Sequence, residues 1–358
     1  MGTQKRLGIL TSGGDCPGLN AVIRAALATA LETYGWEVVG IPYSSKGLQE
    51  RQSIPLDAHA LKFRGVDPLL NSGGTVLKSI NKRYSSEETS EIIAGYHDLN
   101  LDALIAIGGD GSLAILRSLA QQGGWNLVGV PKTIDNDVAL TERAVGFDTA
   151  VNTVTESIQK LIYTASSHDR VMVVEVMGRT AGHLALHAGI AGGADVILIP
   201  EIPYSVEKIC EKIDHIRTVI DRHYAIVVVA EGAPTPAGES RTYTDALGGK
   251  RLRGIGEYLA DQICRVSNME LEARHMVLGH IQRGGAPSAF DRLLATEFGK
   301  VAVDLVAEEQ FDRMVAWQCG TVARVPLQEV IERGTILVEP DSSLIQTARA
   351  VGTYVGEL

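Results

Sequence analysis

Ala103-Leu104-Ile105-Ala106-Ile107-Gly108-Gly109-Asp110-Gly111-Ser112 runs from an apolar stretch into a glycine-rich turn that carries an aspartate. A second such stretch stands earlier in the chain: Leu7-Gly8-Ile9-Leu10-Thr11-Ser12-Gly13-Gly14-Asp15-Cys16-Pro17-Gly18. A helix-like pattern follows each. Strand–turn–helix is the setting in which backbone N–H groups and a helix N-terminus hold phosphate. An aspartate sits badly next to bare phosphate, but fits if it holds Mg²⁺ that bridges to the phosphate. The two turns together point to metal–nucleotide chemistry, although either alone is compatible with an ordinary strand-to-helix turn.

Outward from these turns, apolar runs alternate with helical patterns. Continuous Val- and Ile-rich runs at 7–10, 37–41, 103–107, 127–130, 171–176, 196–199 and 225–230 read as strands buried on both faces. Between them, 147–163 puts Val151, Val154, Ile158, Leu161 and Ile162 on one helical stripe. The stretch 206–222 does the same with Ile209, Ile213, Ile216 and Ile220. This order predicts an α/β fold with mainly parallel sheets, in two lobes with a cleft between them. The stretch 232–254, with Pro234, Pro236, Gly238, Gly248, Gly249 and Gly254, breaks the pattern and reads as a surface loop or mobile excursion.

At 358 residues, 45% hydrophobic and 21% charged, the composition is that of a soluble globular protein with room for two domains. No apolar run reaches membrane-spanning length. Met1–Arg6 leads straight into the first expected strand, so no signal peptide is expected. Arg6 stands where myristoylation requires Ser or Thr. A net charge of −10 speaks against a nucleic-acid binder. It leaves room for a few arginines on a phosphorylated small molecule. Cys16, Cys210, Cys264 and Cys319 form no CxxC pair and read as reduced thiols of a cytoplasmic protein.

Pro131-Lys132-Thr133-Ile134-Asp135-Asn136-Asp137 follows the strand at 127–130. Two carboxylates, an amide and a hydroxyl then meet at a strand's carboxyl end, where Asp135 and Asp137 can divide general-base and metal or structural roles. A plain polar loop is the alternative. Ser166-Ser167-His168-Asp169-Arg170 precedes the strand at 171–176, and Met177-Gly178-Arg179-Thr180-Ala181-Gly182-His183 follows it. Arg170 and Arg179 thus stand at opposite ends of one strand; guanidinium groups suit phosphate. His183 and His187 are spaced i, i+4, but Leu184-Ala185-Leu186 supplies no glutamate of the HExxH kind, so they read as a helix face. Arg274 and His280-Ile281-Gln282-Arg283-Gly284-Gly285, with Glu231, are able to hold a phosphosugar, or to form an interdomain polar network. Gly74-Thr75-Val76-Leu77-Lys78-Ser79 lacks the glycine before lysine that a P-loop needs.

Residues 11–18, 108–112, 131–137, 166–170, 177–179 and 278–285 occur in the order seen in the phosphofructokinase family, and the resemblance covers nearly the whole chain. It implies two Rossmann-like lobes: 1–146 plus about 282–332 for nucleotide and Mg²⁺, and 147–281 plus about 333–358 for fructose 6-phosphate. The implied reaction is Mg²⁺-dependent phosphoryl transfer from ATP to the 1-hydroxyl of fructose 6-phosphate, in glycolysis. By the same resemblance Asp135 is the base, and Thr133 and Arg179 steady the transferring group. Asp110 holds Mg²⁺; Gly13, Gly109, Gly111, Ser112, Asn81 and Lys82 line the donor site. Ile134, Met177, Gly178, Glu231, Ile281 and Gln282 lie along the sugar. His280 and Arg283 meet its 6-phosphate, with Arg170 and Arg274 supplied by a neighbouring subunit. The resemblance therefore implies a self-associating protein, at least a dimer and by family pattern a homotetramer.

The family divides by donor. Gly111 resembles the ATP-using branch, because a bare glycine leaves space for the α-phosphate and ribose where the pyrophosphate branch has aspartate. Lys132 matches the pyrophosphate branch and some ATP-using relatives. Sterics outweigh one flexible cation, so ATP is the expected donor and pyrophosphate the alternative. Asn81 stands where compact bacterial relatives carry an arginine, and Lys82 or Lys78 is its expected substitute. Arg24 and Arg51 match basic positions of the bacterial effector site, but Ala28 and Ile162 replace arginines there. A non-catalytic sugar-phosphate-binding subunit is the reading from another class; Asp110, Asp135 and Arg179 together argue against it. A dinucleotide oxidoreductase would require a GxGxxG fingerprint at a strand end, and none is found.

Overall fold

The computed structural model describes residues 4–57, 68–79, 86–244, 250–252, 254–267 and 270–357. The chain divides into two compact units: Met1–Thr149 with Arg283–Ile336, and Ala150–Gln282 with Leu337–Leu358.

In the first unit the strands are β1 (Arg6–Thr11), β2 (Glu37–Ile41), β3 (Ile54–Leu56), β4 (Ala103–Gly108) and β5 (Leu127–Pro131). The second unit contributes β6 (Val171–Val176), β7 (Val196–Leu198), β8 (Ala225–Ala230), β9 (Thr242–Thr244), β10 (Lys250–Leu252) and β11 (Ala273–Val277). Chain return to the first unit adds β12 (Arg313–Gln318) and β13 (Thr321–Pro326).

Among the described residues the first unit's sheet has the order β13-β12-β5-β4-β1-β2-β3. Its centre is parallel, and β3 and β13 close its edges antiparallel. Strand order reverses between β1 and β4, since β1 pairs with β2 on one side and with β4 on the other. Ligands of open α/β sheets bind outside the carboxyl ends of strands at such a reversal. β4 is buried along its whole length, as a strand covered by helices on both faces must be. Helix Leu19–Tyr34 packs tightly on helix Ala289–Ala307: a Cβ on Gly299 would come within 2.6 Å of the Val22 carbonyl oxygen. Leu10, Leu104, Leu113, Leu116 and Met314 belong to this unit's core.

The second unit has a parallel sheet of order β11-β6-β8-β7. Its core joins Val173, Val227 and Val229 to Ile209, Ile213, Leu259 and Ile263 from the covering helices.

The expected strands at 37–41, 171–176 and 225–230 coincide with β2, β6 and β8. The expected helix at 147–163 runs on to Ser167, and that at 206–222 stops at Thr218. The stretch 232–254 is not wholly loop: β9 and β10 pair antiparallel within it, while 245–249 and 253 lie outside the described residues. The sequence reading missed β11, because Ala-Arg-His-Met-Val is an exposed edge strand with no continuous apolar run. It also missed the β12–β13 hairpin, whose turn places Cys319 (φ 50°) and Gly320 (φ 78°) in the left-handed conformation that two-residue hairpins need. All four cysteines are free thiols. No helix among the described residues is long and apolar enough to cross a membrane.

Candidate active site

β1, β4 and β5 end level with one another. Thr11 pairs with Ile107, and Gly108 with Pro131. Ser12 N–H donates to the Ile107 carbonyl (2.9 Å) and Lys132 N–H to that of Gly108 (3.1 Å). The turns at Gly13, Gly109 and Lys132 therefore stand side by side on the first unit.

Gly13 has φ 83°, and a Cβ on it would lie 2.7 Å from Ser112 Oγ. Both the left-handed backbone and the close approach require glycine. The Lys132 side chain, 4% exposed, turns back under this turn and its Nζ donates to the Gly14 carbonyl. A buried ammonium is tolerated only with such partners. Arg283 packs its guanidinium where a Gly14 side chain would be, and donates to the Asp15 carbonyl (3.3 Å). Arg283 therefore belongs to the first unit, beside the Gly13–Asp15 turn, whereas His280, exposed, and Ile281, 59% exposed, belong to the second.

Gly109 precedes helix Asp110–Gly123 in extended conformation, and no side chain caps that N-terminus. The helix end thus presents backbone N–H groups and positive dipole to a ligand. Asp110 is half-buried; one carboxylate oxygen accepts from the Thr335 hydroxyl (3.1 Å). Gly111 is exposed, and a Cβ on it would meet nothing within 4 Å. Its φ is not left-handed. Neither backbone nor packing demands glycine there, and a helix favours alanine by about 0.5 kcal/mol or more.

On the segment after β5, the Thr133 hydroxyl accepts from Asp135 N–H (3.0 Å). Ile134 and Asp135 are buried, Asp135 to 5% exposure. Asn136 takes φ 53° and stitches the following loop to itself, accepting from Ala144 N–H (3.0 Å) and donating to the Glu142 carbonyl (3.1 Å). The Asp137 carbonyl accepts from Ile336 N–H (2.8 Å).

Asp291, which the sequence reading passed over, lies behind this segment, fully buried. Ser288-Ala289-Phe290-Asp291 fits the helix-start pattern Ser-x-x-acid and signals it. Burial pushes its carboxyl up to about 6, outweighing hydrogen bonds from Thr149 and Gly146. The folded value lies above the unfolded one, so the folded state binds the extra proton. Its contribution favours folding at acid pH and is lost as pH rises through about 6, a swing of about 3 kcal/mol. We expect thermal melts of wild type and Asp291→Asn to diverge accordingly, wild type losing relative to the variant between pH 4.5 and 7.

The second unit gathers the other expected residues. β6, β8 and β11 carry Met177–Arg179, Glu231 and Leu278–Gln282 past their carboxyl ends. Met177 N–H donates to the buried Gln282 side-chain oxygen (3.1 Å), and Arg179 N–H to Glu231 Oε1 (3.1 Å). Gly178 has φ 141°. A Cβ on Gly232 would collide with the Arg179 carbonyl. Arg170 and Arg274 share Glu272, at 3.0 and 2.6 Å. The Arg170 hydrogen bond holds the Glu272 carboxyl below its ordinary value, and the charge of Arg274 adds to this. His187 Nδ1 lies 2.8 Å from the His183 carbonyl, and the described residues contain no cluster of three His, Cys, Asp or Glu able to hold a metal. Arg51 of the expected effector positions is bound by Glu91 (2.7 Å) and Asp98 (3.0 Å). Asn81 and Lys82 lie outside the described residues.

Residues 6–306 match the model of the phosphofructokinase family. The chain is 58% identical to ATP-dependent 6-phosphofructokinase 2 of Nostoc sp., over 99% of each chain. It is 48% identical to the pyrophosphate–fructose 6-phosphate 1-phosphotransferase of Amycolatopsis methanolica, over 90% of this chain and 94% of that one. Among solved structures it is similar to Pichia pastoris phosphofructokinase, with a TM-score of 0.81 and 29% identity, over 98% of this chain and 37% of that one.

Proposed function

The chain belongs to the phosphofructokinase family, and from that premise we propose that it is an ATP-dependent 6-phosphofructokinase, converting fructose 6-phosphate to fructose 1,6-bisphosphate. The observation that carries the choice of donor is Gly111: an exposed first-turn position kept free of a side chain beside an uncapped helix N-terminus. A nucleotide has more bulk beyond its terminal phosphates than pyrophosphate has, and such a gap accommodates it.

Phosphoryl transfer asks a protein mainly for alignment and charge neutralisation. The Asp135 carboxylate takes the proton of the sugar's 1-hydroxyl as that oxygen attacks the γ-phosphorus and ADP leaves. Thr133 and Arg179 bind the phosphoryl oxygens as their charge redistributes. The donor phosphates rest on N–H groups of the Gly13 and Gly109–Ser112 turns. Asp110 suits Mg²⁺, which is commonly held by one or two carboxylates with water and substrate phosphates; the Thr335 hydroxyl orients one of its oxygens. When bound, Mg²⁺ neutralises charge on the β- and γ-phosphates. Lys132, tied to Gly14, adds fixed positive charge beneath the donor turn. Met177, Gly178, Glu231, Ile281 and Gln282 bind or frame the sugar, and His280 and Arg283 its 6-phosphate. Arg170 and Arg274 serve the 6-phosphate of a second copy, so the working form is an oligomer, a homotetramer or at least a dimer. In that role they exchange Glu272 for phosphate. The expected location is the cytoplasm.

Lys132 and the pyrophosphate-named relative favour pyrophosphate as the second reading. Purified protein given fructose 6-phosphate and Mg²⁺ is expected to turn over with ATP. Turnover with pyrophosphate and none with ATP would overthrow the first reading in favour of the second.

A further inference from the structure

Helix Ala289–Ala307 of the first unit and helix Phe147–Ser167, whose first three residues lie in that unit, are capped crosswise at their N-termini. Asp291, in the first turn of the second helix, accepts from Gly146 N–H (3.0 Å), Thr149 N–H (2.8 Å) and the Thr149 hydroxyl (2.5 Å). In return Ser288 donates its hydroxyl to Asp148 (2.5 Å) and its N–H to the Thr149 hydroxyl oxygen (2.9 Å). Two positive helix ends thus meet two carboxylates.

Capping accounts for the bonds to Thr149. The bond to Gly146 lies outside the helix and reaches further. Gly146, at φ 101°, ends the loop that returns from Asp135, and Val145 before it is bonded along the catalytic segment. Its carbonyl accepts from Thr133 N–H (3.1 Å) and from the Cys16 thiol (3.3 Å), and its N–H donates to the Pro131 carbonyl (3.3 Å). From the Asp291 carboxylate to Thr133 is therefore one hydrogen bond, two residues of chain and a second hydrogen bond.

We propose that Asp291 is a positioning residue for phosphoryl transfer: by holding Gly146 it fixes Val145, and Val145 fixes Thr133 and Asp135. The inference rests on the roles given above to Thr133 and Asp135. Alignment of reacting groups is steep in its effect; a displacement of about 1 Å costs up to about a hundredfold in rate.

Asp291→Asn keeps the size of the side chain but replaces one accepting oxygen by an amide that faces a donor. In this variant, hydrogen exchange read on peptides spanning 131–137 should speed up by about tenfold or more. The kcat should fall about 10- to 100-fold, with KM for both substrates within about threefold. Faster exchange confined to 147–151, with kcat within about twofold of wild type, would reduce Asp291 to a helix cap and overturn the proposal. If Asp291→Asn does not fold, Thr149→Val and Thr149→Ser replace it, because the Thr149 hydroxyl holds the Asp291 carboxylate in the orientation that reaches Gly146. Valine should lower kcat and serine restore it, and equal activity of the two overturns the proposal. Exchange at 131–137 reports the clamp without reference to chemistry, while Asp135→Ala tests the base without disturbing the clamp, so the two readings fail separately.

Discussion

Asp135→Ala is expected to lower kcat by about 10²- to 10⁴-fold, the range that general-base catalysis supplies, while fructose 6-phosphate still binds. The substitution removes the proton acceptor and leaves Asp135 N–H, which donates to Thr133, in place. Turnover by coupled assay and sugar-phosphate binding by calorimetry separate the two effects. Retention of full turnover would sink the general-base assignment. The same variant tests the shared site. Refolded together with an Arg274→Ala chain, it should regain part of the lost activity, because mixed assemblies contain some sites with both residues intact. No regain at any mixing ratio would confine each site to one chain.

Gly111→Asp is the second large effect: ATP-dependent turnover should fall by about a hundredfold or more, since the new carboxylate stands in the donor's path and repels its phosphates. The fold gives this experiment unusual clarity. Position 111 is the second residue of its helix, where an acidic side chain complements the dipole, and a Cβ there meets nothing within 4 Å. The variant should therefore melt no lower than wild type, so lost activity reports the ligand site alone. Gly111→Ala should keep most ATP turnover and gain about 0.5 kcal/mol in stability. ATP turnover unchanged in the aspartate variant would remove the steric argument for the donor.

The two glycine-rich turns were legible because their requirements are local. Gly13 is forced by its own backbone angle, and Asp110 follows a strand whose six residues are all apolar or glycine and all buried. β11 was not legible, because an edge strand one face of which is open needs no apolar run. The crosswise caps were half legible: Ser288-x-x-Asp291 announces a helix start, but not that Asp291 reaches 145 residues back along the chain to Gly146.

The sequence by itself determined the buried parallel strands with the helices between them, the turns at their carboxyl ends, and the residue types that phosphoryl transfer needs. These depend on neighbours a few positions apart. Only the tertiary structure decided that β1, β4 and β5 end level, that Lys132 turns under Gly14, that Arg283 stands on the Gly13–Asp15 turn, and that Asp291 accepts from Gly146 at the end of the loop returning from Asp135. The physical reason is that strand register and the partners of buried charges are fixed by pairing and burial among distant segments. No local pattern encodes which segment that will be.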